Sequence, residues 1–241
     1  MSVSIICCLF NEVSIAPKNL EILLTFCKKQ SWSFEILIID NNSNDGTKEW
    51  LKSLEDTDHI KRIFNKRNIG KGGSIKLGIS RARYPSAIIF DLDGEYSVDD
   101  INPGLNKLRG DEHQLVLASR RLDTKKIKYL YKQNYYGVIF IDTLINLLYS
   151  TRIMDTATGL KFLKVDFYKN VKIRYSGFNV DFEIVCIALN KRTDVGMVPC
   201  DYTPRSRKEG KKINAFKDGI LSIICIVHTR LAGFFSNAQS N

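Results

Sequence analysis

Asp91, Asp93 and Glu95 are the side chains whose types and spacing could do chemistry together. They sit in Asp91-Leu92-Asp93-Gly94-Glu95, directly after the apolar run at residues 87–90. Side chains alternate along a strand, so a strand running into this stretch would turn Asp91 and Asp93 to the same side. Carboxylates so placed repel unless a cation lies between them. An open cluster of hard oxygen ligands suits Mg²⁺ or Mn²⁺, which keep positions for water and phosphate oxygens. A metal-assisted site for a diphosphate is one reading. A polar turn leaving a strand is the other, because Asp and Gly are common there.

The elements that must position these groups alternate through the first half of the chain. Residues 3–9 form an apolar run of strand length, followed by a helical stretch entered through Pro17 with Leu20, Leu23, Leu24 and Cys27 on one face. Residues 34–39 predict a second strand ending on Asp40. The turn at 41–47, rich in helix-capping residues, leads to a helix carrying Trp50, Leu51 and Leu54. Residues 60–64 predict a third strand, and the glycine-rich loop 68–73 opens a helix with Ile75, Ile79 and Ala82 inward. The acid-ended central strand follows, then a helix carrying Ile101, Leu105 and Leu108, then a strand at 115–118. Strands alternating with helices predict an α/β fold, with a mostly parallel sheet flanked by helices. Ligands bind beyond the carboxyl ends of such strands. Glu12, Asp40, Asp91, Asp93 and Arg120 all fall there, whereas random polar turns would scatter over both ends.

The second half is less regular. Residues 135–150 read as an amphipathic helix with Asp142, Asn146 and Ser150 on one stripe. A short strand is expected at 161–163, an apolar helix opening at 178–183, a strand at 195–198, and a final helix from about residue 216 after the basic loop 205–212. There is no internal repeat and no low-complexity segment, so one domain is expected over residues 1–213. A C-terminal helical extension at 214–241 is either part of that domain or in contact with a membrane. The chain of 241 residues carries a formal charge of +10, which points to anionic partners such as nucleic acid, lipid headgroups or phosphorylated substrates. Nucleic acid is disfavoured, because basic and aromatic residues do not interleave in any recognisable motif. The six cysteines show no metal-ligand spacing, and a reducing, cytoplasmic compartment fits them best. No signal peptide is expected. No apolar run approaches the roughly 20 residues of a bilayer span, the nearest being 136–149 and 219–227. Peripheral contact with the cytosolic face of an anionic membrane is the expectation.

Taken in order, these motifs resemble the family 2 glycosyltransferases of the GT-A (Rossmann-like) fold. The resemblance is to the branch that makes dolichyl- and polyprenyl-phosphate mannose or glucose, and it covers nearly the whole chain. The stretch ending Phe10-Asn11-Glu12 is similar to the family's Pro-x-Tyr-Asn-Glu, and Asp40 through Thr47 to its Asp-Asp-x-Ser-x-Asp-Gly-Thr. Asn68-Ile69-Gly70-Lys71-Gly72 resembles its Asn-x-Gly-Lys-Gly, Asp91-Leu92-Asp93 its Asp-x-Asp element, and Ser119-Arg120 its Gly-Ser-Arg. Asp155 through Phe162 resembles the Asp-x-x-x-Gly-Phe-Lys segment of the polyprenyl-phosphate branch.

The resemblance implies a nucleotide-sugar donor, and a polyprenyl-phosphate or glycan acceptor. Glu12 and Asp40 would accept hydrogen bonds from base and ribose, with Cys8 and Phe10 walling the base and Lys71 positioning the nucleotide. Asp93, with Glu95 or Asp91, would hold Mg²⁺ or Mn²⁺, Asp91 alternatively facing the sugar hydroxyls. Arg120 and Arg205 would bind phosphates by charge-assisted bonds. A single in-line displacement with inversion is implied. A phosphate acceptor is already ionised and needs no strong base. A hydroxyl acceptor on a surface polysaccharide or lipid-linked sugar would need one, with Asp155, Asp181 and Glu183 as candidates. A nucleotide-binding module without turnover is a further alternative. The chain departs from the family pattern at Cys8 and Phe10, where Pro and Tyr are usual, at Asn41, where a second Asp is usual, and at Lys211, where Ser is expected. Glu95 stands where mannose-transferring relatives often carry Gln, which leaves donor sugar and nucleotide open.

Overall fold

The computed structural model describes residues 1–110, 112–123, 131–205 and 215–238. The basic cluster at 125–128 and all of the basic loop after Arg205 lie outside the described residues. The described elements are β1 (Ser2–Leu9), α1 (Ala16–Lys28), β2 (Ser33–Asp40), α2 (Thr47–Ser53), β3 (Ile60–Phe64), α3 (Gly70–Arg81), β4 (Ser86–Ile89), α4 (Ile101–Leu108) and β5 (His113–Ser119). They continue with α5 (Lys132–Tyr149), β6 (Lys161–Lys164), α6 (Val165–Lys169), α7 (Val180–Asn190), β7 (Asp194–Pro199) and α8 (Ala215–Ala238).

The strands form one sheet in the order β3-β2-β1-β4-β6-β5-β7. β1, β2, β3 and β4 pair in parallel, as do β5 and β7, and β6 runs antiparallel between β4 and β5. The chain winds outward from β1 to β3 and then crosses back to β4. That switch leaves a crevice over the carboxyl ends of β1 and β4, where Glu12 and the Asp91–Glu95 stretch emerge.

Period-two alternation divides the sheet between two cores. Ile5, Cys7, Ile38, Ile88 and Phe162 face α1 and α4, while Ile6, Leu37, Ile89, Leu117 and Leu163 face α3 and α7. Cys7 is therefore core, and its neighbour Cys8 turns to the opposite face, at the foot of the crevice. Helix α7 is buried nearly all round because the sheet covers one side and α5 and α8 cover the other, through Ile141, Ile145 and Ile226.

The C-terminal helix, expected from about residue 216, is observed as Ala215–Ala238. The apolar run read at 219–227 belongs to a continuous helix whose stretch Asp218–Phe235 has a mean hydropathy of 1.5. By length and composition alone that stretch could cross a membrane, and only 22% of it is buried. The expectation of no segment approaching spanning length therefore does not hold for α8. Asp218, His228 and Arg230 interrupt the apolar sequence without ending the helix.

Helix α4 approaches β6 closely because Gly104 has no side chain. A Cβ there would stand 2.1 Å from the ring of the fully buried Phe162. Gly104→Ala should lower stability by about 1–3 kcal/mol through overpacking, despite the better helix propensity of Ala. Thermal unfolding measures it, and an unchanged or raised Tm would contradict the close packing.

Candidate active site

A cleft of about 550 Å³ lies over the carboxyl edge of the sheet. Cys8, Phe10 and Glu12 after β1, Asn41 after β2, the acidic stretch after β4, Arg120 after β5, and Lys71 of α3 all line it. Arg205 borders it, and α5 and α8 contribute Val138, Ile141, Gly219 and Ser222 on the side away from the sheet.

The strand ladder of β4 stops at Ile89, so strand alternation does not reach the carboxylates. Asp91 and Asp93 lie in a turn completed by Gly94, whose φ of +75° favours glycine. Each acid meets a different cation. Asp91 Oδ2 accepts from Lys71 Nζ at 3.0 Å, and Asp93 Oδ2 from Arg205 Nη2 at 2.9 Å. Glu95 turns to Tyr202, whose hydroxyl donates to Oε2 at 2.9 Å, and to the Arg205 N–H, which donates to Oε1 at 2.9 Å. Arg205 also reaches Glu12 Oε2 at 2.9 Å, so one guanidinium binds both Glu12 and Asp93 and lies 3.9 Å from Glu95. Among the described residues no three His, Cys, Asp or Glu side chains converge on a common metal position. Lys71, Arg205 and Tyr202 instead take Asp91, Asp93 and Glu95 separately. Burial, with Asp91 and Glu95 close by, pushes the Asp93 carboxyl up to about 7 against the pull of Arg205.

Lys71 links this stretch to a second, deeper charge pair. Its ammonium also lies 3.3 Å from Asp181 Oδ2, and Asp181 Oδ1 accepts from Lys161 Nζ at 3.0 Å. Lys161 is fully buried and donates in addition to the Thr158 carbonyl. Burial alone would push Lys71 down, but Asp181 and Asp91 hold it well above the usual lysine range. Burial would likewise raise Asp181, yet the two lysines keep it below the usual carboxylate range. Glycine in the Asn-x-Gly-Lys-Gly loop serves packing. A Cβ on Gly72 would meet the Tyr175 carbonyl at 2.1 Å, and the Gly72 N–H donates to Ser176 O at 2.7 Å.

Arg120 is held from behind. Its backbone N–H and Nε donate to Asp155 Oδ2 at 2.7 and 2.8 Å, Nη2 pairs with Oδ1, and its guanidinium carbon lies 4.8 Å over the Tyr202 ring. Asp155 is fully buried and does not line the cleft, so it aims Arg120 rather than facing a substrate. Asp40, expected to touch nucleotide, is also buried away from the cleft. It accepts the Ser43 N–H at 3.1 Å to shape its own turn. Its neighbour Asn41, itself buried, lines the cleft and ties the β2 and β3 loops through Asn65, Asn68 and Ile69. Glu183 accepts the N–H groups of Arg174 and Tyr175.

The sequence did not single out Lys161, Tyr202 or Asp142 for the site. A lysine inside a short apolar strand and an aspartate inside an apolar helix were the available signals, since buried charges need partners.

Residues 4–172 match the family model described as glycosyl transferase family 2. The dolichyl-phosphate beta-glucosyltransferase of Dictyostelium discoideum is 26% identical over 246 residues, covering 94% of this chain and 73% of that protein. The UDP-N-acetylglucosamine–dolichyl-phosphate N-acetylglucosaminyltransferase of Methanococcus voltae is 26% identical over 74% of this chain and 79% of its own. Among solved structures, glucosyl-3-phosphoglycerate synthase from Mycobacterium tuberculosis, in complex with Mn²⁺, UDP-glucose and phosphoglyceric acid, superimposes with a TM-score of 0.70. It is 11% identical, with 95% of this chain and 79% of that chain covered. Mannosyl-3-phosphoglycerate synthase from Rubrobacter xylanophilus gives a TM-score of 0.68 at 13% identity, over 99% and 75% of the two chains. At these identities the superpositions establish the GT-A fold, and the match over residues 4–172 places the chain in a family. The chain belongs to the family 2 glycosyltransferases.

Proposed function

We propose that the protein transfers a hexose, with inversion, from a nucleotide sugar to a polyprenyl or dolichyl phosphate at the cytosolic face of an anionic membrane. The observation that carries this reading is the state of the three carboxylates that the sequence offers as a base, Asp155, Asp181 and Glu183. Asp155 is bound to Arg120, Asp181 to Lys71 and Lys161, and Glu183 to two backbone N–H groups. A sugar hydroxyl must lose a proton to attack, whereas a phosphate monoester arrives ionised and needs no base. The site therefore suits a phosphate nucleophile better than a hydroxyl.

The cleft's surroundings support a lipid on that phosphate. Helices α5 and α8, which form its outer wall, carry apolar side chains on their outward faces. Leu147 is 77% exposed, and Phe234 and Phe235 are 65% and 64% exposed. On α8, Ile220, Ile224, Val227, Leu231 and Phe234 recur at helical spacing as one exposed stripe. A bilayer surface would cover that stripe and present a lipid phosphate at the cleft.

Within the cleft, Glu12, Phe10 and Cys8 would receive the nucleoside, and Arg120 would bind phosphate oxygens from the fixed position that Asp155 and Tyr202 give it. The donor set fits a hard divalent cation. Asp93, short of positive charge by its raised pKa, would hold Mg²⁺ or Mn²⁺ together with Asp91. The ion would supply positive charge against the leaving diphosphate. Arg205 pairs with Asp93 and Glu12, so it would be the side chain that competes with a cation there, and once released it would be available to phosphate oxygens.

Purified protein should release nucleoside diphosphate from a UDP- or GDP-hexose only when a short polyprenyl phosphate and Mg²⁺ or Mn²⁺ are present. The product should be extractable into organic solvent and labile to mild acid. Asp93→Ala should lose activity by a factor on the order of 10² or more. Release with a glycan acceptor and none with polyprenyl phosphate would overturn the acceptor assignment. Binding of donor without release under any condition would favour the module without turnover.

The membrane contact has its own readout. The protein should float with anionic vesicles, and Phe234→Glu with Phe235→Glu should weaken binding about tenfold or more, since burying each ring contributes roughly 1.5–3 kcal/mol. Flotation unaffected by the pair would remove α8 from the contact.

A further inference from the structure

Helix α5 carries one carboxylate, Asp142, in an otherwise apolar stretch, and that carboxylate is buried without lining the cleft. Four donors converge on it. Oδ2 accepts from Arg121 Nη1 and from the Asp155 N–H, each at 2.6 Å. Oδ1 accepts from the Thr156 N–H at 2.9 Å and from Thr156 Oγ1 at 2.6 Å. One helical turn on, Asn146 donates to Ile153 O at 2.9 Å and accepts the Ile153 N–H at 2.8 Å. The buried side of α5 thus grips residues 153–156 from end to end.

This grip has a backbone consequence. Asp155 has a φ of +64°, a left-handed conformation unfavourable for any residue with a Cβ. The hydrogen bonds from the N–H groups of Asp155 and Thr156 to Asp142 hold the chain in it. In that conformation the Asp155 carboxylate faces Arg120 and takes its backbone N–H, Nε and Nη2 together. We infer that Asp142 is a positioning residue for Arg120, acting through the backbone of Asp155 and Thr156 to aim the guanidinium into the cleft. Only an ionised carboxylate can accept from all four donors. An amide at this position offers one oxygen and turns an NH₂ group toward N–H donors. Helix α5 therefore carries Tyr136, Phe140 and Leu147 outward and the aim of Arg120 inward.

The kinetic consequence rests on the phosphate-binding role proposed for Arg120, but the positioning can be read without turnover. In ¹⁵N NMR spectra of the full chain, the Arg120 Nε–H, assigned by its loss in Arg120→Lys, should be a sharp, slowly exchanging resonance. In Asp142→Asn it should broaden or exchange at least about tenfold faster while the backbone amide spectrum stays dispersed. Thr156→Val, which removes one of the four donors and keeps the carboxylate, should shift it in the same direction by less. It also serves as the probe if Asp142→Asn does not fold. In turnover, Asp142→Asn should lower kcat/KM by about tenfold to a hundredfold in the wild-type background and by less than about twofold in Arg120→Lys, as expected for residues acting as a unit. An unchanged Nε–H in both variants, or the same fold-loss in both backgrounds, would overturn the inference. An inactive wild-type protein whose Nε–H responds as described would leave the positioning intact and sink the transferase assignment instead.

Discussion

Glu12, Asp91, Asp93 and Glu95 crowd around one cleft, because parallel strands deliver the residues that follow them to a single edge of the sheet, and Asp181 joins them from the first turn of α7. Two like charges 4 Å apart near a protein surface repel by about 4 kcal/mol, so such a cluster folds only with cations built into it. Lys71, Lys161 and Arg205 are those cations: Lys71 is shared between Asp91 and Asp181, Arg205 between Glu12 and Asp93, and Lys161 pairs with Asp181. Their pairing draws α3, α7 and the segment after β7 onto the carboxyl edge. The Lys161–Asp181 pair is the deepest of these. Removing one member of such a pair commonly costs about 3–5 kcal/mol, because the other is left buried and charged.

The same constraint sorts the acids by role. Those engaged by fixed partners, Asp155, Asp181 and Glu183, hold the architecture. Asp93 differs: burial and its acidic neighbours raise its carboxyl despite Arg205, so additional positive charge is most favourable there. The proposed cation and phosphate positions would thereby be adjacent. Arg205, which touches both Glu12 and Asp93, stands between them.

Much of this was legible in the sequence, and what was not has physical reasons. Continuous apolar runs bounded by turn residues marked the seven described strands, since burial on both faces of the sheet leaves a strong local signature. The acidic stretch, Lys71, Arg120 and the first-strand residues Cys8, Phe10 and Glu12 were identifiable from order and spacing and do line the cleft. Asp40 and Asp155 were not separable from surface-reaching acids, because their burial depends on a left-handed turn and on an arginine beside Asp155 that no local pattern encodes. The membrane-spanning hydropathy of α8 was hidden by charged residues that the helix tolerates on its face. Lys161 looked like an ordinary strand-end lysine until Asp181, twenty residues later, was placed against it.

The most direct measurement is Mn²⁺ binding to the nucleotide-free protein, followed by electron paramagnetic resonance of the free ion, for wild type and Arg205→Ala. If the guanidinium fills the place of a cation among Glu12, Asp93 and Glu95, the variant should bind Mn²⁺ several-fold more tightly, because the internal competitor is gone. Equal or weaker binding by Arg205→Ala would contradict the charge balance that organises the cleft.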